Sequence, residues 1–287
     1  MTEDGNGQKE IKREWIAWLI AGIFFVVGIS VVFLLLSPKQ KSAPKVVFLG
    51  DSIYATARGG DAVPDQLAGR FDGEVLNAAF GGTSLARTDR ERWMDLSMDS
   101  MSFISLSKSI LSGDFSVQRQ AGIEEPATEY FDEVIEELSK VDFSKVEILF
   151  LGYGMNDYQN AVSLNNPEDP LDEYSFGGAL RRTLGDLRKK YPSLRMILLT
   201  PTYSWYLTKE KDCEQQDWGG GFLWQYIALE KEIAAEYGVA VIDLYQDLYE
   251  HEVFEDWKTY TVDGVHPNDL GRKLIAERIA AYLEEHP

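Results

Sequence analysis

A serine, an aspartate and a histidine stand in this sequence where they could form a nucleophilic relay. Ser52 follows the apolar run Val46-Val47-Phe48-Leu49, after Gly50 and Asp51. An apolar run without polar alternation fits a central parallel strand covered on both faces. Open α/β sheets bind ligands beyond the carboxyl ends of such strands. Gly50 lets the backbone turn sharply out of the sheet, which would present the Ser52 hydroxyl at that edge. Asp263 and His266 lie three residues apart in the loop before the last helical stretch. Around a turn at that spacing the carboxylate can accept the imidazole Nδ1–H, leaving Nε2 free to take a proton from Ser52. The chemistry within reach is attack by an activated serine oxygen.

Plainer roles compete at each position. Asp and Ser after a strand also cap helices and fill turns. His251, inside Glu250-His251-Glu252, and His286, beside the C-terminus, read as surface residues. As metal ligands Asp263 and His266 lack a third partner nearby. Two more loops follow apolar runs. The stretch Ala78-Ala79-Phe80-Gly81-Gly82-Thr83-Ser84 has glycines whose backbone amides can face a ligand. Gly152-Tyr153-Gly154-Met155-Asn156-Asp157 closes another strand at its carboxyl end.

The elements that must position these residues alternate. Strands are expected at 74–77, 146–151, 195–200 and 239–244 besides the one before Ser52, with helices at 62–70, 127–138, 174–191, 222–237 and 267–283. Pro64 and Pro267 suit the first turns of their helices. Residues 93–120 read as helices of an insertion, with Met residues filling gaps in packing. The acidic face Asp132, Glu133, Glu136 and Glu137 reads as solvated. The loop 201–221 carries Tyr203, Trp205, Tyr206 and Trp218 and suits a binding wall or an aromatic pin to the core. Alternation of strand and helix implies a parallel sheet with helices on both faces.

With 287 residues, 45% of them hydrophobic, the chain can bury one sizeable core. Its formal net charge of −19 opposes nucleic acid and anionic lipid surfaces, and favours a neutral or positive partner. Cys213 is the only cysteine, so there is no intrachain disulfide. Residues 1–14 read as a polar tail. Residues 15–36 carry no charge, with Trp15 and Trp18 at one end, and are long enough for an uncleaved transmembrane helix. A linker rich in Pro, Lys and Ser follows at 37–44, then the main domain at 45–287. Lys12 and Arg13 next to the span favour a cytoplasmic tail and an extracytoplasmic domain. The sequence sets no oligomeric state.

Taken in order, the motifs resemble the SGNH/GDSL hydrolase family, whose four signature residues come from four separated segments. Here they are Ser52 in GDSI, Gly82 in NAAFGG, Asn156 in GMND, and His266 with Asp263 in DGVHPN. Ile53 replaces the usual leucine, Ala79 stands where a second glycine is often found, and Gly81 where serine is common. The resemblance implies a three-layer αβα sandwich of flavodoxin-like type with a five-stranded parallel sheet. It implies Ser52 as nucleophile, His266 as general base and Asp263 as its orienting acid. The Ser52 and Gly82 amides with the Asn156 side chain would bind the oxyanion, and no metal or organic cofactor would be needed. The leading expectation is a membrane-anchored serine esterase acting on acyl or acetyl esters, with a small molecule or a cell-envelope glycan or lipid as substrate. An O-acyltransferase would use the same acyl-enzyme. A binding domain without turnover is the third reading, which the intact set of five residues opposes.

Overall fold

The computed structural model describes residues 44–71, 73–88, 97–121 and 131–287. All of them fall within the unit Ser42–Pro287. The expected tail and transmembrane helix, and all of the linker but Pro44, lie outside the described residues. Among those residues no helix is long and apolar enough to cross a membrane.

Five parallel strands form the central sheet: β1 (Pro44–Gly50), β2 (Glu74–Asn77), β3 (Ile148–Gly152), β4 (Arg195–Leu199) and, after the hairpin described below, β7 (Ala240–Ile242). Their order is β2-β1-β3-β4-β7, and the sheet is the five-stranded parallel one that the resemblance implies. Val46 to Leu49 and Leu149 to Leu151 are buried, as central strands covered on both faces must be. Phe48 and Phe150 are register partners on β1 and β3, and their rings stack at 4.4 Å. Helices Phe103–Ser112, Phe176–Lys190 and Leu223–Tyr237 pack side by side, while Val63–Leu67 packs against Asp269–Glu285.

After β1 the chain crosses to β2, whereas after β3 it crosses the other way to β4. The order therefore reverses between β1 and β3, which opens a crevice at their carboxyl ends. Both strands end in glycine, and Gly50 and Gly152 are register partners. The Tyr54 ring lies across the pair. A Cβ on Gly50 would stand 2.8 Å from the Gly152 carbonyl oxygen, and one on Gly152 would run into the Tyr54 ring. Only glycine lets the Ser52–Ala55 helix fold back this tightly over the sheet.

Several boundaries differ from the sequence reading. Pro44, expected in the linker, starts β1 and pairs with Glu74. Pro267 lies outside the last helix. It bridges to Thr261, and Asn268 caps the helix by accepting a hydrogen bond from the Gly271 N–H at 3.0 Å. The stretch 201–221 is not a bare loop, because β5 (Trp205–Tyr206) and β6 (Lys211–Asp212) pair as an antiparallel hairpin. A one-turn helix, Trp257–Tyr260, precedes the Asp263–His266 turn.

Gly152→Ala should overpack the Tyr54 contact and cost about 1–3 kcal/mol. For a domain of this size that lowers the melting temperature by roughly 2–4 °C per kcal/mol. Thermal unfolding followed by circular dichroism checks this, and an unchanged midpoint would show that Tyr54 can swing aside freely.

Candidate active site

Ser52 is the first residue of the short helix Ser52–Ala55, whose N-cap is Asp51. The Asp51 Oδ1 accepts the Ile53 N–H at 3.0 Å, so the acid behind the serine organises the turn. From the other end of the chain, the turn 262–266 closes through a bond from the Val262 N–H to the His266 carbonyl at 2.9 Å. It carries His266 Nε2 to 2.9 Å from Ser52 Oγ and His266 Nδ1 to 2.7 Å from Asp263 Oδ2. A carboxylate can only accept, so Nδ1 carries the proton, and the neutral ring offers the Nε2 lone pair to the Ser52 hydroxyl. The direction of both bonds follows from this chemistry.

Partial burial alone would raise the Asp263 carboxyl. Bonds from the His266 ring and from the His266 and Val265 N–H groups outweigh it and hold the group below its ordinary value. Asp263 is thus an anion facing the imidazole near neutral pH.

The neighbouring loops supply donors. Asn156 Nδ2 gives one hydrogen to the Thr83 carbonyl at 3.0 Å, and a primary amide nitrogen has a second to offer. Gly82, with φ of +73°, is exposed at the cavity edge. The Ser52 N–H opens a helix and so has no acceptor within it. Asp157 ties the two loops together, its oxygens accepting the Leu85 N–H at 2.7 Å and the Ala86 N–H at 2.9 Å. Arg58 does the same for the β2 loop, donating to the Asn77 and Ala79 carbonyls.

These groups border a cavity of about 640 Å³, in which the structure brings Ser52, Gly82, Asn156, Asp263 and His266 together. Trp205, Tyr206, Leu207 and Trp218 form part of its wall. Tyr203 does not reach it. That ring is buried between Trp205, Tyr245 and His251, the last stacked on it at 3.9 Å. His251 and His286 stand apart from the cavity, and His286 stacks on Tyr282. Among the described residues no group of three His, Cys, Asp or Glu could hold a metal ion. The sequence reading missed Thr56 and Gln159 in the cavity lining. They lie four residues after Ser52 and three after Asn156, the spacings that put a residue on the same helical face, so the signal was present.

Residues 109–274 match the model of the GDSL-like Lipase/Acylhydrolase family, more than half of the 287 residues, and the chain belongs to that family. The match includes Asn156, Asp263 and His266 and begins after Ser52 and Gly82. No curated protein matches the chain. Among solved structures, a protein from Lactobacillus plantarum is 21% identical with a TM-score of 0.60, over 86% of this chain and 100% of that one. A possible lipase from Chitinophaga pinensis is 15% identical with a TM-score of 0.51, over 83% of this chain and 97% of that one. At these identities the likeness is one of fold.

Asp51 and Asp157 are buried acids. Burial pushes Asp51 up to about 7, against the bond from the Ile53 N–H and with the Asp157 charge adding to the rise. Burial pushes Asp157 to about 7 as well, against the Ala86 and Leu85 N–H bonds. Between the ordinary value of 3.8 and about 7, the folded protein holds a proton on Asp51 that the unfolded chain has shed. Stability from this group therefore falls as pH rises through that window. Asp51→Asn keeps an acceptor for Ile53 and removes the titration. Its melting temperature relative to wild type should be higher at about pH 8 than at about pH 5. An offset that is the same at both pH values would count against the buried charge.

Proposed function

We propose that the chain is a serine esterase in which Ser52, His266 and Asp263 act as a catalytic triad. One observation carries the reading: the unbroken run of hydrogen bonds from Ser52 Oγ through the His266 ring to Asp263, opening on a cavity with amide donors on its other side. Ser52 Oγ attacks the ester carbonyl while His266 Nε2 takes its proton. His266 then returns that proton to the leaving alcohol oxygen as the tetrahedral intermediate collapses to an acyl-serine. Water, deprotonated by the same nitrogen, releases the acid and restores the serine. Asp263 holds the ring in its tautomer and stabilises the imidazolium. The Ser52 and Gly82 N–H groups and the free Asn156 amide hydrogen stabilise the oxyanion. Acyl or acetyl esters of small molecules, glycans or lipids are the substrates, with Trp205, Tyr206 and Trp218 walling the group that is bound.

Residues 15–36 anchor the chain as a single transmembrane helix. The hydrolase domain from 44 onward then lies outside the cytoplasm, joined by the 37–43 linker. The uncharged run and the Lys12-Arg13 pair support this reading.

Ser52→Ala should abolish labelling by a fluorophosphonate probe and lower p-nitrophenyl acetate hydrolysis on the order of 10⁴-fold or more, with a comparable loss for His266→Ala. Asp263→Asn should cost less. Persistent labelling of Ser52→Ala would sink the nucleophile assignment, and equal damage from His251→Ala would identify the wrong base. For the topology, protease added to intact cells should release the domain. Complete protection until lysis would reverse the orientation.

A further inference from the structure

Asp263 and His266 are not held by burial, since their side chains are 52% and 33% exposed. Water weakens the attraction between partners at such a site, so the pair by itself gives little to fix its geometry. The geometry must come from the turn between them.

Gly264 is the centre of that turn. Its φ is +94°, where a side chain is strained, and a Cβ would run into the Trp205 carbonyl oxygen. Both of its polar backbone atoms are taken. On one side, the Trp205 N–H donates to the Gly264 carbonyl at 2.7 Å, joining the turn to the aromatic hairpin. On the other, the Gly264 N–H donates to Thr261 Oγ1 at 2.9 Å. Thr261 in turn donates its hydroxyl hydrogen to the Trp257 carbonyl at 2.7 Å. Thr261 is buried, and its backbone N–H bonds the same carbonyl. The single hydroxyl thus links the one-turn helix Trp257–Tyr260 to the peptide that joins Asp263 to Gly264.

We propose that Thr261 is a positioning residue for the His266–Asp263 pair, its hydroxyl holding the Gly264 peptide so that Nε2 stays in reach of Ser52. The inference rests on the triad reading above. Removing the hydroxyl frees the Gly264 N–H, which is buried and has no other partner in the turn. The turn relaxes to hydrate it, and the imidazole drifts. A drift of the order of an ångström at a reacting group costs up to about a hundredfold in rate. Substrate binding, set by the aromatic wall and the amide donors, stays intact.

The test compares Thr261→Val, which keeps shape and loses the hydroxyl, with Thr261→Ser, which keeps the hydroxyl. With p-nitrophenyl acetate, Thr261→Val should lower kcat about ten- to a hundredfold while KM stays within about twofold, and fluorophosphonate labelling should slow in parallel. Thr261→Ser should stay within about threefold of wild type in kcat. The low-field proton resonance of His266 Nδ1–H should persist in wild type and Thr261→Ser and be lost in Thr261→Val. A Thr261→Val protein with wild-type kcat overturns the proposal, and so does a folded Thr261→Ser as slow as Thr261→Val, because then the methyl matters. If Thr261→Val does not fold, Thr261→Ser decides alone: a loss of kcat beyond about tenfold, with the hydroxyl still present, overturns it. A wild-type protein that neither hydrolyses ester nor takes the probe would sink the esterase reading instead, and the His266 resonance would still decide the role of Thr261.

Discussion

The close approach of the Tyr54 ring to Gly50 and Gly152 is the contact on which the rest of the site depends. It is steric and admits little compromise, because a single methyl on Gly152 would occupy the space of the ring. With the ring seated, the chain after β1 turns back at once. Ser52 then emerges beside β3, and Asn156 rises from the next loop at the same edge. With the ring displaced, the helix Ser52–Ala55 would have to lift, and no adjustment of the distant His266 turn could follow it. Topology brings the two strands together, but the paired glycines make them close enough.

Around this contact stand three carboxylates, and exposure separates two of them from the third. Asp51 and Asp157 are almost fully buried, and each is bonded to backbone N–H groups of the site loops. Asp157 reaches across 72 positions of sequence to Leu85. A carboxylate accepting two amide hydrogens in a water-free setting is a strong tie, yet desolvation opposes its charge. For both acids desolvation wins near neutrality, which raises their proton affinity. Asp263 is the reverse case. Half in solvent, it carries a smaller penalty, so three hydrogen bonds suffice to keep it ionised beside the His266 ring.

Much of this was legible in the sequence, and the failures have physical causes. Four of the five strands could be read from short apolar runs, and β2, with Val75 and Leu76 between Glu74 and Asn77, was bounded as the structure has it. Val146 was placed in β3 because it is apolar, although pairing with β1 and β4 starts at Ile148. Hydrophobicity reports burial, and Val146 is buried outside the ladder. Pro267 looked like a first-turn proline, but Asn268 supplies the cap and delays the helix start to Asp269. The hairpin had no signature, since two residues per strand give no period to detect. Ser52, Gly82 and Asn156 could be placed after strands, and Asp263 and His266 in the loop before the last helix. Their mutual distances depend on turns such as that at Gly264, whose shape is set by contacts with Trp205 on the hairpin and with buried Thr261.

The aromatic stretch shows why pinning and binding were hard to separate from sequence. Both occur in one element, and sometimes in one ring. Trp205 is 1% exposed and packs on Tyr203 at 5.0 Å, yet it also borders the cavity. Its backbone N–H is bonded to Gly264, so the wall and the turn that bears His266 share a peptide hydrogen bond. Tyr206 is buried too, its hydroxyl 3.0 Å from Ser204 Oγ and its ring edge-on to Trp218 at 5.2 Å. A wall fixed this way cannot move without disturbing the core. Trp218 is the exception, because it is only partly buried and lies at the outer end of the pair. Freedom to move within the wall therefore lies on that side, away from Gly264 and His266.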